Sequence, residues 1–127
     1  MMERNAVVTD DRSLRLRGGR NEANTHLSPA KIILLELMLR LNFGWIEELQ
    51  VRNGEPVLVP KPKCVRRTKY GGTNGPRVDV TAIDLTRHPK VRDFFADPVW
   101  RGDGVILRLT IQGGLPDLSD IPDTDQA

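Results

Sequence analysis

The run from Ser28 to Val59, SPAKIILLELMLRLNFGWIEELQVRNGEPVLV, constrains the fold of this chain more than any other segment. Ser28 supplies an acceptor for the open N–H groups of a helix start, and Pro29 sits at the first helical position, where its missing donor costs nothing. A helix over residues 29–41 follows, in which Lys31, Glu36 and Arg40 form a narrow polar stripe. The other positions (Ile32, Ile33, Leu34, Leu35, Leu37, Met38, Leu39 and Leu41) are apolar nearly all round, so the helix must be covered on more than one side. Asn42 and Gly44 tolerate the left-handed backbone that closes a last turn. Residues 45–51 then alternate as a strand, and Asn53-Gly54 is a two-residue hairpin signal, because both central positions of a type I′ turn need positive φ. That turn sets Val51 opposite Pro56, Leu49 opposite Leu58, and Gln50 opposite Val57 on the other face.

Beyond the hairpin, Pro60 and Pro62 each remove a ladder donor, so PKPK reads as an edge or a crossing. β-Structure resumes from Cys64 to Tyr70, a loop occupies residues 71–76, and residues 78–85 read as a further strand. His88-Pro89 opens a short helix with Val91, Phe94 and Phe95 on one face, and Asp97-Pro98 closes it. Residues 105–112 give the cleanest strand pattern, with Val105, Leu107, Leu109 and Ile111 on one face, and Gly113-Gly114 stops it. The expected architecture is α+β: a small antiparallel sheet of three or four strands packed against one long and one short helix. A single domain over residues 28–112 is expected between a mobile N-terminal arm, 1–27, and a frayed acidic tail, 113–127.

The 127 residues carry a formal charge of +2, unevenly spread. Residues 28–112 hold 14 basic and nine acidic side chains, whereas residues 113–127 hold four acidic and none basic. A basic domain leaves anionic partners open. With Cys64 as the lone cysteine, neither an intrachain disulfide nor a cysteine-rich zinc site is available within one chain. The longest apolar segment, 32–41, is interrupted by Glu36 and Arg40 and is about half the length that spans a membrane. The expectation is a soluble cytoplasmic protein without membrane, metal or cofactor.

The run NFGWIEELQVRNGEPVLV, behind an apolar helix and ahead of the basic VRRTK, resembles the YezD-like family of small bacterial proteins. The resemblance spans about residues 30–69 and rests on Phe43, Gly44, Ile46, Val51, Asn53, Gly54 and Val57. It implies a helix, an aromatic-glycine pair, an alternating strand, an Asn/Asp-Gly turn and a second strand ending in basic residues. It implies no biochemical activity.

Catalytic chemistry is thinly supplied. His26, His88 and Cys64 are the only non-carboxylate groups suited to it near neutral pH, and His88 before a proline is better explained as a helix cap. Cys64 lies among Lys63, Arg66 and Arg67, whose field would lower its pKa if it were exposed, although a buried structural thiol is the stronger reading. No carboxylate spacing matches a metal motif. Residues 61–77 are the better candidate, carrying Lys61, Lys63, Arg66, Arg67, Lys69 and Arg77 with no acidic residue, and Tyr70 as an aromatic that can stack on a base. The leading expectation is therefore a non-enzymatic module that binds an anionic partner, nucleic acid first, while a solvated edge explains the same charges. The competing expectation is homo-oligomerisation or protein interaction through the apolar helix, with Ile33, Leu37 and Leu41 as contacts.

Overall fold

The structure, a computed structural model, describes residues 27–123. The N-terminal arm up to residue 26, including His26, and the last four residues lie outside the described residues. The element order is α1 (Pro29–Leu41), β1 (Phe43–Arg52), β2 (Glu55–Pro56), β3 (Lys63–Arg66), α2 (Ala82–Leu85), α3 (Pro89–Ala96), a 3-10 turn (Pro98–Arg101), β4 (Gly104–Gln112) and β5 (Leu115–Asp120). The fold is α+β, with helices on one face of a curled antiparallel sheet.

Helix α1 begins as its sequence dictates. Ser28 Oγ accepts from the Lys31 N–H at 3.2 Å and donates to Glu55 Oε1 at 2.5 Å, so the cap also pins the helix start to β2. Leu34, Leu35, Leu37, Met38, Leu39 and Leu41 are buried between the sheet and α2. At roughly 1.5–3 kcal/mol per buried large apolar side chain, this helix anchors the core. Half-buried Lys31, which forms no ion pair among the described residues, lies 5.3 Å from the Phe95 ring centroid and 5.5 Å from that of Trp100. Because Leu37 and Leu41 are 7% and 5% exposed, they are core residues and not oligomer contacts; only Ile33 of that trio, 51% exposed, reaches the surface.

The sheet is four strands wide, in the order β2–β1–β4–β5, with β3 on the β2 side of β1. The hairpin register is the expected one: Val51 pairs with Pro56, Arg52 with Glu55, and the Val57 N–H donates to the Gln50 carbonyl. β2 stops after two residues, and the chain rejoins β1 at Glu47↔Lys63, so four steps along β1 are matched by seven along its partner. The PKPK segment is therefore an outward excursion interrupting one edge strand, as its missing proline donors require.

Three expectations are overturned. Residues 115–120 are not a frayed tail but strand β5, joined to β4 by Gly113-Gly114 at φ 65° and 79°, a two-residue turn of the kind that Asn53-Gly54 also makes. Pro116 fits because β5 is an edge strand with a register shift against β4 at Thr110/Ile111. Residues 78–85 are not a strand: Thr81 Oγ1 accepts from the Asp84 N–H while Asp84 Oδ2 accepts from the Thr81 N–H, a reciprocal cap that starts α2. The third concerns β4, which buries Ile106, Leu109 and Ile111 and leaves Leu107 47% exposed. Opposite it, Glu48 adopts φ 52° within β1, and both strands turn two successive residues outward before alternation resumes in the opposite phase. The matched break keeps Ile46 opposite Leu109 and Leu49 opposite Ile106, all four fully buried.

Candidate functional site

With every helix in the core cluster, the opposite face of the sheet carries its own side chains in cross-strand rows. The central row is Val65, Trp45, Thr110 and Leu118. The row on one side is Lys63, Glu47, Arg108 and Asp120, an alternation of charge that largely neutralises itself. On the other side Phe43 lies opposite Gln112, and Arg67 continues the β3 ladder by donating its N–H to the Phe43 carbonyl at 2.8 Å.

Trp45 is the hub. The guanidinium carbons of Arg108 and Arg67 lie 5.1 and 5.5 Å from its ring centroid, and its indole N–H donates to Glu47 Oε2 at 2.9 Å. Glu47 Oε1 in turn lies 3.7 Å from Lys63 Nζ. The Trp45 hydrogen bond is the main cause that holds the Glu47 carboxyl below the usual carboxylate range; desolvation opposes it, and the Lys63 and Arg108 charges, each a lesser effect, add to the lowering. Glu47 is thus an ionised brace that sets the tilt of the indole.

Gly44 makes this row buildable. Its φ is 145°, and a Cβ there would stand 1.9 Å from the Val65 carbonyl oxygen, so the close approach of β3 to β1 beside Trp45 requires glycine.

The basic stretch divides among separate places. Lys63, Arg67 and Lys69 belong to the outer face or its rim, whereas Lys61 stands on the proline excursion with Pro60 and Pro62, beside Glu47, Glu48 and Gln50. Arg66 points the other way, and its Nη2 donates to the Arg40 carbonyl at 3.3 Å, at the C-terminal end of α1 where a cation is favoured. Arg77 is a structural clasp: it donates to both Asp79 carboxylate oxygens at 2.9 and 3.2 Å and to the Gly113 carbonyl at 2.8 Å. Neither Arg66 nor Arg77 joins the outer face. Tyr70, 93% exposed, stands on the loop after Lys69.

Reading residues 61–77 as one charged segment missed Trp45, Arg108, Phe43 and Glu47. The signal was present in the alternation of β1 and β4, which sets Phe43, Trp45 and Glu47 on the face away from Ile46.

The remaining candidates have structural explanations. His88 Nδ1 accepts from the Lys90 N–H at 3.1 Å, capping α3. Cys64 packs against the core with its thiol 3.5 Å from the Pro62 carbonyl; burial pushes its pKa up, outweighing the lowering effect of Lys61 and Arg40. The field of neighbouring cations therefore does not activate it. Among the described residues no helix is long and apolar enough to cross a membrane, and no group of three or more His, Cys, Asp or Glu side chains is placed to hold a metal. No protein-family model, curated protein or solved structure matches the chain.

Proposed function

We propose that this chain is a small non-enzymatic, cytoplasmic binding module whose outer sheet face engages nucleic acid. Trp45 carries the reading: an indole on a sheet face that no helix covers among the described residues, with two guanidinium groups against its ring and Phe43 two residues away on the same strand. Sheet aromatics offer π-faces to bases, and arginine and lysine beside them take the phosphates. The excess of cations over carboxylates at the Arg67 and Lys69 end supports the same partner, since neither side chain forms an ion pair among the described residues. The competing reading, protein interaction or homo-oligomerisation through α1, has less apolar surface to draw on, since Leu37 and Leu41 lie in the core and Ile33 alone of its three contacts is exposed. The resemblance to the YezD-like family implies no activity, so the reading rests on geometry.

The test is fluorescence anisotropy of a labelled oligonucleotide at about 50 mM salt, where phosphate contacts are strong. Arg67→Glu and Arg108→Glu should each weaken binding at least about tenfold, because each places like charge beside the phosphates. Arg92→Glu, exposed on α3, should leave it unchanged. Absence of binding by the parent protein, or equal effects of all three substitutions, overturns the proposal.

A further inference from the structure

The outer face ends in a pocket. Where β1 begins, Phe43, Ile111 and Gln112 meet the loop that carries Lys69, Gly72, Thr73 and Asn74, and together with Arg67 they line an open cleft of about 340 Å³. That volume lies at the lower end of ligand-binding pockets, which run from about 300 to 1,000 Å³, and suits a single planar ring system with its sugar.

Its wall is preorganised. Asn74 ties the loop to itself, accepting from the Lys69 N–H at 2.9 Å through Oδ1 and donating to the Lys69 and Gly72 carbonyls at 2.9 and 3.4 Å through Nδ2. With the Asn74 amide spent on the loop, the remaining side chains that line the cleft are of the types a nucleotide site uses, Arg67 among them while it also lies against the Trp45 ring. Phe43 supplies an aromatic surface, and Gln112 an amide that makes no hydrogen bond among the described residues. The Arg67 guanidinium and the Lys69 ammonium supply unpaired positive charge at the mouth. Tyr70 adds an aromatic ring, 93% exposed, on the same loop.

We propose that this pocket receives one unpaired base of a single-stranded nucleic acid. The base rests against Phe43 with its edge toward the Gln112 amide, Arg67 and Lys69 hold the flanking phosphates, and Tyr70 stacks on the neighbouring base. A side-chain amide both donates and accepts, which suits a base edge, and a base held inside a duplex cannot enter. The inference rests on the nucleic-acid reading and narrows it to single strands.

The experiment compares a fluorescein-labelled single-stranded octanucleotide with the blunt duplex of the same sequence, for the parent protein and for Phe43→Leu, Gln112→Ala and Tyr70→Ala. The single strand should bind at least about tenfold tighter than the duplex, as loss of a base–aromatic stack commonly costs a factor of that size. Phe43→Leu and Gln112→Ala should each remove about tenfold from single-strand affinity and leave duplex affinity within about twofold. Gln112 and Tyr70 are exposed, so their variants report even where Phe43→Leu disturbs the β1–β3 ladder. Equal or tighter duplex binding, or single-strand affinity unmoved by Gln112→Ala and Tyr70→Ala, overturns the base pocket while the nucleic-acid reading stands. If neither the single strand nor the duplex binds the parent protein at about 50 mM salt, both readings are overturned.

Discussion

Single residues at backbone pinch points decide whether the outer face can exist. Gly44 is the strictest, because its φ of 145° and the Val65 carbonyl oxygen, 1.9 Å from where a Cβ would stand, act together. Gly44→Ala should therefore destabilise the protein by roughly 2–5 kcal/mol, combining backbone strain with overpacking. A urea unfolding midpoint measured for the variant checks this, and a change below about 0.5 kcal/mol would contradict the account. The same pinch brings Val65 and Arg67 alongside Trp45, so a substitution at Gly44 would disturb the site as well as the fold. Glu48 is the counterpart in β1: its positive φ turns Glu47 and Glu48 outward together and resets the phase of the strand.

Among the elements, β5 has the largest effect on the boundary of the domain. Pro116 is buried opposite Ile111, α3 packs on β5, and Lys90 Nζ reaches Asp117 Oδ1 at 3.3 Å. That exposed ion pair contributes little, so the apolar burial carries the docking. A chain ending at Gln112 should melt at least about 10 °C below the full chain, the size expected from losing a few kcal/mol in a domain of this length. Thermal unfolding followed by circular dichroism measures it, and an unchanged midpoint would mean that β5 is dispensable. Helix α1 is the converse case, an element whose sequence announced both its bounds and its need for cover; α2 and the sheet supply that cover within one chain.

Across the whole molecule, the arrangement of charge matters more than its sum. Six cations between residues 61 and 77 are split: Arg66 caps a helix end, Arg77 clasps Asp79, Lys63 faces Glu47, and Lys61 stands on the excursion. Arg67 and Lys69 remain, joined from another strand by Arg108. Binding of a single strand should then fall with log salt at a slope of about −2, three phosphates at about −0.7 each, whereas six cations acting together would give about −4. Anisotropy titrations across a salt series distinguish the two, and a slope near zero would remove phosphate contact altogether. Local chemistry was enough to specify α1, the Asn53-Gly54 hairpin with its register, the His88 cap of α3 and the bounds of β4, because caps, turns and periodicity act over a few residues. Two further local signals, Gly113-Gly114 and the Thr81–Asp84 cap, stood in the sequence but were obscured by an acidic, proline-bearing tail and by an apolar run. Only the tertiary structure decided that Trp45, Arg67 and Arg108 share one surface, since they come from three segments and meet through strand pairing. Charge adjacent along a chain need not be adjacent in space: in a strand consecutive side chains take opposite faces, and long-range pairing selects their neighbours.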